Sequence, residues 1–333
     1  MDGSRSRQTE TGGATQRTRL RKRRSHAHSR SARGRSRRRP LGAAIETLEK
    51  RNLLTYAIDL FADINQLGVS SDINLTSEFS ELDQVNQFVQ VGNESFFVAN
   101  DGLHGSELWK TDGSSSNTMM VKDLLPGPDS SEPYDLVEMN GELFFTAFDD
   151  DGETDLWKSD GTESGTVKVF DADAAGVYGL MDLTVSKNST TSTQKLFFIA
   201  EEEASGYELW VSDGTSVGTT LVKDINPDPD DFPQELTDVD GELFFTSYSS
   251  YDNGRELWKS DGTELGTVLV ADLGIGPGED GELGTDDDYD SFSSYPTYLT
   301  ELDGVLYFVA EDFADGVELF QYDTRAAEPK AEM

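Results

Sequence analysis

The phrase SELWKTDGS at 106–114 returns as TDLWKSDGT at 154–162, YELWVSDGT at 207–215 and RELWKSDGT at 255–263, and in degraded form as VELFQYDTR at 317–325. Trp109, Trp157, Trp210 and Trp258 are all the tryptophans of the chain, and Phe320 stands in their place in the fifth copy. Successive copies lie 48, 53, 48 and 62 residues apart. An apolar segment precedes each phrase: ESFFVA from Glu94, ELFFTA from Glu142, KLFFIA from Lys195, ELFFTS from Glu242 and VLYFVA from Val305. Another follows the first four, as in TMMVKDLL from Thr118 and TTLVKDIN from Thr219. A further strand-like stretch ends in Asn140-Gly141 or Asp240-Gly241 before the Phe-Phe segment, and such dipeptides mark two-residue hairpins. Four strands in roughly 48 residues is the unit from which a propeller blade is built.

The phrase has a physical reading of its own. Asp112, Asp160, Asp213 and Asp261 can accept backbone N–H groups in a tight turn, and Gly113, Gly161, Gly214 and Gly262 supply the positive φ that follows. These aspartates therefore read as turn formers rather than as catalytic or metal-binding groups. The tryptophans read as core, since each buries about 150–250 Å²; the competing reading is a ring of exposed indoles stacking on sugars. The expected architecture is all-β, a five-bladed propeller of four-stranded antiparallel blades. The fifth copy lacks its last strand, and Tyr56–Ile64 (YAIDLFADI), upstream of the first blade, is expected to supply it.

The repeated phrase, over residues 87–325, resembles the ELWxxDGT repeat family of bacterial exported proteins. The resemblance implies a propeller-like fold and a secreted or surface location, and it names no substrate. The chain departs from the pattern at Asn117, where the other copies have Gly165, Gly218 and Gly266, and at 171–179, which lacks the usual VKDIxPG ending.

Upstream of the repeats the composition changes. Residues 1–51 carry 16 Lys and Arg against 4 acids, net +12; residues 52–333 carry 11 against 60, net −49. Residues 1–40 are Arg-, Ser- and Gly-rich with almost nothing apolar, so ordering them would bury too little surface to offset the entropy lost. Clustered arginines attract phosphate backbones, but no aromatic residue interleaves them to stack on bases, which disfavours nucleic acid. Residues 41–55 form an amphipathic run whose core, LEKRNLLT at 48–55, resembles the LExRxLL-type motif of predicted extracellular planctomycete proteins. That resemblance implies export and an extracellular or cell-surface address. The expected organisation is an arm at 1–40, a targeting motif at 41–55, a propeller at 56–325 and a tail at 326–333.

No run of about 18–20 apolar residues suits a membrane-spanning helix. The absence of Cys excludes disulfides, thiolate nucleophiles and thiolate metal sites. The string GTSVG at 214–218 fits G-x-S-x-G but sits inside the repeat hairpin, not at a strand-to-helix elbow. His104 is the sole imidazole outside the arm. With 60 acids available, a carboxylate pair of the kind glycoside hydrolysis uses is bound to occur by number alone. The segment EDGELGTDDDYD at 279–290 is the densest acidic run, and Ca²⁺ is the cation its oxygen-only donors would suit. Asp286, Asp287, Asp288 and Asp290, then Asp280 and Glu282, are the candidate ligands, against the reading of a solvated loop. The favoured function is a non-catalytic exported module that binds a polysaccharide or a surface protein. The alternative is a carbohydrate-active propeller enzyme using two carboxylates.

Overall fold

A computed structural model of the chain describes residues 88–150, 152–225, 232–248, 254–271, 273, 293–312 and 316–325. The arm, the targeting motif, the Tyr56–Ile64 segment, the acidic run at 279–290 and the tail lie outside these residues. Five antiparallel sheets follow one another along the chain. The first comprises β1 (Val89–Val91), β2 (Glu94–Asn100), β3 (Ser106–Thr111) and β4 (Met119–Lys122). The second comprises β5 (Tyr134–Met139), β6 (Glu142–Phe148), β7 (Thr154–Ser159) and β8 (Val167–Phe170). A one-turn helix, α1 (Ala172–Ala175), then leads into β9 (Val177–Lys187), β10 (Gln194–Glu202), β11 (Gly206–Ser212) and β12 (Thr220–Lys223). The fourth sheet is β13 (Gln234–Val239), β14 (Glu242–Tyr248), β15 (Arg255–Ser260) and β16 (Val268–Ala271). The fifth has three strands, β17 (Thr297–Leu302), β18 (Val305–Asp312) and β19 (Gly316–Asp323).

Local chemistry sets the turns. Asn140-Gly141, Asp240-Gly241 and Asp303-Gly304 all have positive φ, the pairing that lets a two-residue turn follow the strand twist. After each Trp strand the DGT turn closes on itself. Asp160 Oδ1 accepts the Thr162 N–H at 2.8 Å and the Thr162 hydroxyl at 2.6 Å, and Asp213 and Asp261 repeat both bonds. These bonds, the hydroxyl first, hold the carboxyls of Asp160 and Asp213 below the usual range. The second glycine of the phrase is a matter of space: a Cβ on Gly165 or Gly218 would stand 2.0 Å from the Asp oxygen. Asn117 escapes that clash by turning its amide onto the aspartate, donating from Nδ2 to Asp112 Oδ2 at 2.6 Å.

Packing follows the two-residue period of the strands. In the second, third and fourth sheets the first ring of the Phe-Phe pair faces the next sheet and the second faces the previous one. Phe144 and Leu156 join the cluster shared with the third sheet, while Phe145 and Trp157 join the cluster shared with the first. Phe197 with Leu209, and Phe198 with Trp210, repeat the division, as do Phe244 with Leu257, and Phe245 with Trp258. The first strand of each sheet packs against the first strand of the next, β1 on β5, β5 on β9, β9 on β13 and β13 on β17. Sheets stacked face to face, with their first strands innermost and their fourth outermost, are the blades of a β-propeller.

Candidate functional site

The four motif tryptophans are buried, each 7–8% exposed; Trp157, Trp210 and Trp258 pack between adjacent blades, and the motif Asp and Gly residues are held in the turns between third and fourth strands. Sequence reasoning overlooked the acid two residues before each Trp. Glu107, Asp155, Glu208 and Glu256 are buried, and each accepts the N–H of the residue that leaves the fourth strand: Leu124, Ala172, Ile225 and Leu273, at 2.8–3.3 Å. Glu107 and Glu256 also take the N–H and hydroxyl of Ser131 and Ser294. Burial pushes the Glu107 carboxyl up. Its recurrence in all five copies was the available signal, masked by the abundance of acids. Among the described residues no group of three or more His, Asp or Glu is placed to hold a metal. The candidate Ca²⁺ ligands Asp280, Glu282, Asp286, Asp287, Asp288 and Asp290 lie outside the described residues.

The innermost strands carry a second repeated feature. In blades two to five an extra residue interrupts the pairing of the first strand with the second, a second one following in blade three, and Asp135, Asp182, Glu235 and Tyr298 hold positive φ at the bulge the blades share. Such a bulge frees an N–H from the ladder. Asp135 Oδ2 accepts the Asp182 N–H at 2.7 Å, and Glu235 Oε2 accepts the Leu299 N–H at 3.2 Å, each reaching one blade on. Burial, and then the charge of Asp182, raise the Asp135 carboxyl to about 6; burial and Glu235 push Asp182 up as well.

The end of the propeller where inner strands begin and second strands turn into third is chemically divided. In blades one and two it is charged. His104 Nδ1 lies 2.7 Å from Asp101 Oδ2, and Lys168 is held among Asp149, Asp155 and Asp171, which keep its ammonium well above the usual range despite burial. In blades three to five the same end sets aromatic side chains beside the acids Glu201, Glu202, Glu311 and Asp312. Tyr207 packs on Phe232 with centroids 5.8 Å apart. The buried Arg255 donates to the Phe232 carbonyl at 3.1 Å and lies 4.9 Å from the Tyr248 ring. Tyr248 and Ser293 hydrogen-bond the Tyr295 hydroxyl and, with the Arg255 charge, lower its pKa. Tyr295 and Tyr298 are 53% and 75% exposed. A contiguous strip thus runs Tyr207, Phe232, Arg255, Tyr248, Tyr295 across three blades. Little in the repeat signalled it: Tyr248 has an aromatic counterpart in Phe148, but Arg255, Tyr207 and Tyr295 stand where the copies differ.

These features define a β-propeller with an aromatic strip at one end. No family model matches the chain, and no curated protein matches it. Among solved structures it is similar to TolB from Acinetobacter baumannii (9% identity, TM-score 0.37), covering 70% of this chain and 55% of that one. It is similar to a thermostable family-43 glycoside hydrolase (11%, TM-score 0.33; 72% and 88% covered). The Dos1 propeller is a third (12%, TM-score 0.37; 73% and 55% covered). The chain thus spans just over half the length of the TolB and Dos1 propeller chains.

Proposed function

We propose that the propeller is an exported, non-catalytic binding module whose ligand is a polysaccharide laid along the strip from Tyr207 to Tyr295 and onto the exposed Tyr298 three residues further on. The observation that carries this reading is the continuity of the strip. Tyrosines offer an apolar face to a sugar ring and a hydroxyl at its edge, and Arg255 fixes the order of the rings by touching Phe232 and Tyr248. The buried motif acids support a non-catalytic role, since they are engaged with backbone N–H groups. Export rests on the basic arm and on the LEKRNLLT resemblance at 48–55. A glycan array on the intact protein, repeated with Tyr295→Ala and Tyr298→Ala, tests the reading. Retention on at least one glycan class, lost in both variants at unchanged melting temperature, supports it. Binding that survives both substitutions, or binding to proteins alone, overturns it.

A second reading has one observation in its favour. Asp135, raised to about 6 by burial and by the charge of Asp182, is a carboxyl that can hold a proton near neutral pH. Release of reducing ends from a polysaccharide panel, abolished by Asp135→Asn, would establish that enzyme; no release from any substrate would dismiss it.

A further inference from the structure

We infer that the open edge of β19, together with Glu318, receives residues 60–64 of the same chain as the fourth strand of the fifth blade, in one defined register. The four complete blades set the rule. The motif Leu and Trp of the third strand stand opposite fixed positions of the fourth: Leu108 opposite Lys122 and Trp109 opposite Met120, Leu156 opposite Phe170 and Trp157 opposite Lys168. Leu209 with Lys223 and Trp210 with Leu221, then Leu257 with Ala271 and Trp258 with Leu269, repeat it. Just beyond, the residue after the strand's Asp gives its N–H to the motif acid in all four blades.

Among the described residues the fifth blade has the acceptor half of this arrangement alone. Its motif acid, Glu318, is exposed where Glu107, Asp155, Glu208 and Glu256 are buried. Leu319 is 70% exposed where Leu108, Leu156, Leu209 and Leu257 are buried. An eight-residue edge strand with an apolar side chain in water is a pairing surface that proteins cover. Phe61-Ala62-Asp63-Ile64 has the residue pattern of Val222-Lys223-Asp224-Ile225 and of Val270-Ala271-Asp272-Leu273, including the Ala at the second position. The tail AAEPKAEM at 326–333 contains no such pattern. Carrying the rule across sets Ala62 opposite Leu319 and Leu60 opposite Phe320, with the Ile64 N–H on the Glu318 carboxylate. A strand from a second copy is the competing occupant.

The chain has no cysteine, so two introduced thiols are the sole pair that can join. Residues directly opposite on antiparallel strands bring Cα atoms within disulfide reach. Leu60→Cys with Phe320→Cys in the full chain is expected to give a reductant-sensitive, faster-migrating monomer on a non-reducing gel. Phe61→Cys with Phe320→Cys, one residue out of register, is expected not to. Glu318→Ala in the cysteine-free chain is expected to lower the melting midpoint by several degrees, an effect that a solvated surface glutamate would not have. A disulfide-linked dimer, equal cross-linking in both registers, no cross-linking in either, or a Glu318→Ala midpoint equal to the parent's would each overturn the inference.

Discussion

Trp210 lies between Phe170 and Phe198, with ring centroids at 5.8 and 6.3 Å, and its indole Nε1 is buried with no hydrogen-bond partner among the described residues. Its value is therefore area, not a polar contact. Trp210→Ala is expected to destabilise by about 3–5 kcal/mol through the cavity it leaves, whereas Trp210→Phe leaves a smaller cavity and should cost clearly less, the replacement that Phe320 already makes in blade five. Urea denaturation of the two variants measures both; equal losses would mean that the N–H matters. A finer contrast concerns Gly218. Its missing Cβ leaves room for the Asp213 carboxylate, so Gly218→Ala should displace that group and loosen the turn, at a cost of about 1 kcal/mol, the scale of a lost side-chain cap. Gly218→Asn should be milder, because Asn117 shows how an amide converts the clash into a bond. Thermal unfolding of the pair decides the order. The Trp, Asp and Gly positions were legible in the sequence because turn formers and large rings stand out in any composition. Glu107 and its equivalents were not, since one more acid among 60 draws no notice until its N–H partners are known.

The bulged inner strand is the element that sequence reasoning did not foresee. An extra residue at Asp135, Asp182, Glu235 or Tyr298 leaves the flanking alternation intact, so no change of period announces it; positive φ at a Tyr or Glu is uncommon and shows only in the backbone. One consequence can be measured by titration. The folded-state carboxyl of Asp135 sits at about 6, above the value of about 3.9 for an unfolded chain. The native state therefore binds this proton more tightly, and the stability it brings is complete below about pH 4 and lost as pH rises through 6. Asp135→Asn keeps an oxygen for the Asp182 N–H but cannot ionise. Its melting temperature should vary less than the parent's between pH 4 and 6, with the variant the more stable above 6; parallel curves would remove the shift. The hairpins, by contrast, were legible from their Asn-Gly and Asp-Gly pairs, whereas α1 and the eleven-residue β9 appear where the second repeat loses the VKDIxPG ending.

For the whole molecule, charge is the dominant unbalanced term. Residues 52–333 carry a net −49, and compaction brings like charges together. Raising NaCl from about 10 mM to physiological strength shortens the screening length from about 30 Å to about 8 Å, so the melting temperature should rise steeply over that range; a flat response would show that the acids are already neutralised locally. Calcium at matched ionic strength separates screening from binding: an ion held by Asp286, Asp287, Asp288 and Asp290 at 100 times its Kd would add about 2.7 kcal/mol, and equal midpoints would leave screening alone. The alternation of Phe-Phe and Leu-Trp has a further meaning at this scale. Blades two to four offer the same front, a Phe with a Leu, and the same back, a Phe with a Trp, so the joint is head-to-tail and any of these blades is a fitting neighbour for another. A gene segment of 48 codons copied in frame would insert a ready-made tile with both faces already matched, which is how such a chain can lengthen or shorten by whole units while its end loops diverge one tile at a time.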